Sequence, residues 1–120
     1  MFIKGRTYTR AQVHQRIGGS IQSFLPTVNG EVVCACLSLK LNPQAPAVIL
    51  AGDGPRIMAT AEQLGRQTSK IPVFIKQQSN AWEYVGDWRP IRVTTDRSEL
   101  SIYEESADRS DVRVAVFMEE

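Results

Sequence analysis

A chain of 120 residues with 42% hydrophobic and 22% charged side chains can bury one core without disulfides or metals, and its composition is that of an ordinary globular domain. Its 14 basic and 13 acidic residues leave a net charge of +1, which excludes nucleic-acid binding by bulk charge alone. No apolar run approaches the roughly 18 residues that a membrane span needs, and the opening Met-Phe-Ile-Lys-Gly-Arg is too short and broken for a signal peptide. The expectation is a single domain over residues 1–120, cytoplasmic and without a membrane partner.

In chain order, Thr9 is placed to cap a helix over residues 10–17, in which Val13 and Ile17 form an i, i+4 apolar pair. Gly18 then suits the position past the helix end where left-handed geometry is wanted. Residues 18–30 read as a long polar connection with Pro26 and an Asn29-Gly30 turn, and 31–39 as a strand. After a loop at Asn42-Pro43-Gln44-Ala45-Pro46, Ala47 to Ala51 reads as a short buried strand ending at Gly52-Asp53-Gly54-Pro55. Pro55 suits the first turn of a helix over 55–66, with Ile57, Ala61 and Leu64 on one face. Ile71 to Lys76 reads as a strand and Gln77 to Asn80 as a turn. Trp82–Val85 and Ile91–Thr94 read as two strands around Gly86-Asp87-Trp88-Arg89-Pro90. Asp96 could cap a helix over 97–107, and Val112 to Met118 makes a closing strand. Strands that do not alternate regularly with the helices predict an α+β fold with a mainly antiparallel, curved sheet and two to three short helices.

Charge is unevenly spread. Residues 4–16 hold Lys4, Arg6, Arg10 and Arg16 with no acid, whereas Glu99, Glu104, Glu105, Asp108 and Asp111 face only Arg109 across residues 99–111. The phosphate-loop, nucleophile-elbow and zinc-protease templates are all absent. No catalytic residue, metal site or cofactor is therefore assigned, and a non-enzymatic role is the expectation. Cys34 and Cys36 alternate along a strand, where a bond between them would be badly strained, so two free thiols are expected. His14 is the only histidine; a triad would have to recruit Ser20 or Ser23 with Asp53 or Asp87, and nothing in the spacing supports that. The Gly52-Asp53-Gly54-Pro55 loop could cradle an anion at a helix start, but Asp53 would repel a phosphate, which favours a plain turn.

Two stretches carry more. Trp82, Tyr84 and Trp88 fall within seven residues, flanked by Asp87 and Arg89. Rings beside a carboxylate and a guanidinium suit a pocket for a planar polar ligand, and equally these aromatics could fill a small core. Gly18-Gly19-Ser20, followed by Gln22 and Ser23, offers bare backbone N–H groups and neutral hydrogen-bonding groups next to Arg10, His14 and Arg16. It could grip phosphates, or one glycine could end the helix and leave the second spare.

The order Phe2, Gly5, Tyr8, Arg10, His14, then Gly18-Gly19-Ser20 and Gln22, then Pro72-Val73-Phe74 and Trp82-Glu83-Tyr84-Val85-Gly86-Asp87, resembles the SRA-like (YDG-type, PUA-like) domains joined to HNH restriction endonucleases that cut modified DNA. The likeness is a sparse skeleton over residues 2–89. It implies a small PUA/SRA-like β-barrel that grips a DNA duplex and turns one base into an aromatic-lined pocket. Tyr8, Arg10 and His14 fall on the opening motif, Gly18, Gly19, Ser20 and Gln22 on the DNA-approaching loop, and Tyr84, Gly86 and Asp87 on the late aromatic strand. With Arg16 beside the first group and Trp82, Trp88 and Arg89 beside the last, these make the expected contact edge and base pocket. The chain departs from the family after Gly86-Asp87, where it runs Trp88-Arg89-Pro90, and its single histidine leaves no HNH segment. The resemblance thus implies a reader without a nuclease of its own, with duplex DNA bearing a modified cytosine and a separate nuclease subunit as partners in restriction or defence. Two other classes stand beside it. One is a small enzyme or ligand-binding domain for a nucleotide-like planar molecule, using Asp53, Asp87 or His14. The other is an interaction module that docks a basic partner on the acidic C-terminal third.

Overall fold

In the computed structural model, which describes residues 1–120, the elements run β1 (Thr7–Tyr8), α1 (Arg10–Ile17), β2 (Thr27–Val28), β3 (Glu31–Val32), β4 (Ala35–Leu37), β5 (Val48–Ala51), α2 (Pro55–Arg66), β6 (Ile71–Gln78), β7 (Ala81–Thr94), α3 (Arg97–Ala107) and β8 (Val114–Glu119). The helices start where local chemistry directs. Thr9 accepts from the Gln12 backbone N–H while the Gln12 side chain returns to the Thr9 N–H, a reciprocal cap; the Asp96 carboxylate accepts from the Glu99 backbone N–H without a return bond, and Pro55 takes the first turn of α2.

All eight strands are hydrogen-bonded, six in a main sheet of order β4-β6-β7-β8-β5 with β1 added on β7, and two in the separate β2–β3 hairpin; in the main sheet only β4 with β6 is parallel. The fold is therefore α+β with three helices and a mixed, open sheet. The hairpin turns at Asn29-Gly30, both at positive φ, so the connection expected over residues 18–30 contains a strand of its own. The strand expected over 31–39 is correspondingly broken in two, between Val32 and Ala35.

β7 is one strand of 14 residues rather than two around a turn. Its first half pairs with β6 on one side and β1 on the other, and its second half pairs with β8. Gly86, at φ 111°, sits inside it where the β6 register slips, Phe74 facing Tyr84 but Pro72 facing Asp87. This bulge adds one residue to β7 and so reverses which face its later side chains occupy.

The β5–β8 ribbon is covered on both faces, which is why Val-Ile-Leu-Ala and Val-Ala-Val-Phe-Met are unbroken apolar runs. Ile49, Ala51, Val114 and Val116 pack with Ala61 and Leu64 of α2, whereas Val48, Leu50 and Ala115 pack with Leu100 and Ala107 of α3. A third cluster joins α1 to β6 and β7: Val13, Tyr8, Phe74, Cys34 and Cys36, flanked by Phe2, Trp82 and Tyr84.

Candidate functional site

The main concavity is an open cleft of about 1170 Å³ between α1, the loop before β2, the start of α2 and the β6–β7 turn. Arg10, Ser20, Gln22 and Ser23 line one wall, and Lys76, Asn80 and Trp82 the next. Across from them stand Asp53, Arg56 and Thr60 around the start of α2, and Arg109 and Asp111 beyond α3.

Strand pairing brings the first two walls together. Tyr8 lies opposite Trp82, so the segment leading into α1 is stitched to the start of β7. Asn80, in left-handed geometry at the turn, accepts a hydrogen bond from the Arg10 backbone N–H at 3.0 Å. Lys76 is the direct cross-strand partner of Trp82, and its ammonium lies 5.8 Å from that ring; the Arg10 guanidinium lies 5.0 Å from it. The Trp82 indole N–H is the one buried side-chain donor without a partner.

Arg10 is buried, and its Nε and Nη2 donors are engaged. Nε–H donates to His14 Nε2 at 2.9 Å, and Nη2 donates to the carbonyls of Ser20 and Ser23 at 3.1 and 2.7 Å. Because arginine can only donate, His14 Nε2 is the acceptor, and its Nδ1–H donates to the Gly18 carbonyl at 2.7 Å. Burial holds the His14 pKa below its ordinary value, and the nearby Arg10 charge adds to that against the Gly18 hydrogen bond. The neutral imidazole is thus a structural link from α1 to the loop.

The second glycine is not spare. A Cβ on Gly19 would lie 2.7 Å from the Pro26 Cβ, and its φ is +83°, so the loop closes on itself only with glycine there. Gly18 ends the helix with φ 80°. Ser20 Oγ accepts from the Gln22 N–H at 3.2 Å. This loop lines the cleft through Ser20, Gln22 and Ser23, while His14 and the two glycines hold it in place; Tyr8 is buried in the cluster beneath α1, its hydroxyl accepting from the Ile3 N–H. Arg16 lies apart, over the Phe2 and Tyr8 rings, with its guanidinium donating to the Met1 carbonyl at 3.0 Å.

The aromatic group expected as a base pocket divides. Trp82 lines the cleft. Tyr84 packs with Phe2 and Phe74, and its hydroxyl donates to Asp87 at 2.6 Å, burial and that carboxylate together raising the tyrosine pKa. Beyond the Gly86 bulge, Trp88 faces the other side of the sheet, packed on the main core with its indole donating to the Val85 carbonyl. Arg89 pairs with Glu119 at 2.8 Å. Of these five residues only Trp82 reaches the cleft.

The cations differ in availability. Arg109 is held by Asp111 at 2.8 Å and by the Leu41 carbonyl, an arrangement packed against Gly52 so closely that a Cβ there would overlap Asp111. That hydrogen bond from Arg109 keeps the Asp111 carboxyl below its usual range. Lys76 and Arg56 make no ion pair. The acidic C-terminal third is largely held within the fold: Glu99 pairs with Arg92, Glu104 with Arg97, and Asp111 with Arg109. Lys76, Asn80, Arg56 and Arg109 belong to no motif in the chain, and only the folded arrangement of their elements brings them to the cleft.

No helix is long and apolar enough to cross a membrane. No curated protein and no solved structure matches the chain. One family model, described as a domain of unknown function (DUF6697), matches residues 7–111, the span that builds both walls of the cleft, and the chain belongs to that family.

Proposed function

We propose that the domain binds nucleic acid in this cleft without catalysis, as a reader of duplex DNA carrying a modified base. Trp82 serves as the platform for an unstacked base, and Lys76 and Arg56 meet phosphates. The observation that supports this most is the β1–β7 pairing, which sets Trp82, a lysine and the Ser20–Ser23 loop around one open concavity. The cleft is open along its length instead of enclosed, which suits a polymeric ligand. Stacking on one aromatic contributes about 1–3 kcal/mol, comparable with the few kcal/mol that unstacking a base costs. On this reading the curved open sheet stands in for the closed SRA-like barrel, and Arg10 shapes the site without gripping the backbone itself.

The test is a gel shift at low salt with duplexes bearing plain or modified cytosine. Wild-type protein is expected to shift the modified duplex more strongly. Trp82→Ala is expected to lose at least about tenfold in affinity, consistent with the stacking contribution, while Tyr84→Phe, remote from the cleft, binds as wild type. A protein that shifts neither duplex removes the proposal.

A further inference from the structure

Strands β6 and β7 are joined by two residues, Ser79 and Asn80, with Gln78 and Ala81 as the closing pair. Asn80 takes the left-handed conformation, φ 53°, that such a turn requires and that asparagine tolerates. Its side chain reaches α1, where Oδ1 accepts from the Arg10 N–H at 3.0 Å, one of the helix-start donors that no intrahelical carbonyl can satisfy. A backbone N–H can only donate, so the atom facing Arg10 is the amide oxygen, and chemistry alone fixes which way the amide points. Planarity of the amide then turns its NH2 group away from that N–H, and the bond to Arg10 is the only one the side chain makes. Asn80 lines the cleft two residues before Trp82, and Lys76, the cross-strand partner of Trp82, lines it with them. The wall that carries the Trp82 ring therefore also carries a neutral side chain with an engaged acceptor and two free donors.

We propose that Asn80 is the specificity-determining residue of the cleft, selecting a base with an unprotonated ring nitrogen beside a carbonyl, the cytosine pattern, against thymine. The inference rests on the nucleic-acid reading of the cleft and deepens it. With its oxygen engaged by the Arg10 N–H, the Asn80 side chain meets a base on Trp82 as a donor. The pairing edge of neutral cytosine offers N3 and the O2 carbonyl as neighbouring acceptors. In thymine N3 carries a proton, so the same N–H group would face another donor and one of the two would be left without a partner. The usual asparagine contact with adenine uses the amide oxygen and the NH2 group together, and here the oxygen is already committed. C5 lies across the ring from C2, so a substituent there is clear of Asn80 and is tolerated by it.

The experiment titrates the full chain, at low salt and by fluorescence anisotropy, against labelled duplexes that differ at one position: 5-methylcytosine or thymine opposite the same guanine. The mismatched thymine is the easier of the two to unstack, so tighter binding of the methylcytosine duplex reports recognition of the base. Wild type is expected to favour that duplex by about tenfold. Asn80→Asp keeps an oxygen for the Arg10 N–H and replaces the donors with an acceptor. It is expected to melt close to wild type by circular dichroism and to lose the preference; its added charge weakens both duplexes alike and cancels in the ratio. A duplex with 3-deazacytosine, which has C–H in place of N3, needs no variant and is expected to bind wild type about tenfold more weakly than its cytosine counterpart. Equal affinities within either pair of duplexes, or a preference that Asn80→Asp leaves unchanged, would overturn this proposal and leave the nucleic-acid reading standing. Binding to none of the duplexes would remove both.

Discussion

Replacing Arg10 with alanine separates a residue that builds the cleft from one that grips a ligand. The guanidinium makes three hydrogen bonds, one to His14 and one each to the carbonyls of Ser20 and Ser23. A bond from a charged donor contributes about 1.5–3 kcal/mol, but both carbonyls are only partly buried and rehydrate when released, so about 1 kcal/mol each is the working figure. The total is about 3 kcal/mol. For 120 residues the unfolding entropy is about 0.25 kcal/mol/K, and Arg10→Ala should melt about 12 °C below wild type by circular dichroism. Arg10→Lys keeps the charge but not the planar fork, and should recover less than half of the loss. A melting point within about 4 °C of wild type, with duplex binding abolished, would refute the reasoning and make Arg10 a direct contact.

Three further outcomes follow from the geometry. His14 has a folded-state pKa below 6.5, so the unfolded chain takes up a proton first. Its contribution is complete above about pH 6.5 and is lost as pH falls through the folded value. Urea midpoints of wild type should therefore decline on acidification in that window, and His14→Gln should flatten that part of the profile. Gly19→Ala places a Cβ against Pro26 at a positive φ and should cost about 1–3 kcal/mol by denaturant titration. Gly65→Ala would gain about 1 kcal/mol of helix propensity but sets its methyl 2.7 Å from the Val93 Cβ. A net loss of about 1–2 kcal/mol is expected by denaturant titration.

Local rules were readable from the chain alone. Thr9, Pro55 and Asp96 each begin a helix because the groups they satisfy lie within three residues, and Asn29-Gly30 turns a hairpin for reasons held in two residues. Gly86-Asp87 carries the same composition as a turn, yet it is a bulge inside a continuous strand, since β6 and β8 supply partners on either side of it. That one inserted residue moves Trp88 to the opposite face and dissolves the aromatic trio. The cleft was half legible. The Gly18-Gly19-Ser20 stretch and the aromatic cluster pointed to Ser20, Gln22 and Trp82, which line the cleft, and equally to Tyr84 and Trp88, which do not. Asn80 holding the N–H of Arg10, 70 positions away, depends on the β6–β7 pairing and has no local signature.

The central claim is that Lys76 and Trp82 form a nucleic-acid contact, and fluorescence anisotropy of a labelled duplex titrated between 50 and 200 mM salt tests it most directly. Two phosphate contacts, from Lys76 and Arg56, predict a log–log slope of about −1.8 and about tenfold weaker binding over that range. Lys76→Ala should reduce the slope to about −0.9. Absence of binding at 50 mM salt, or a slope that Lys76→Ala leaves unchanged, would contradict the account.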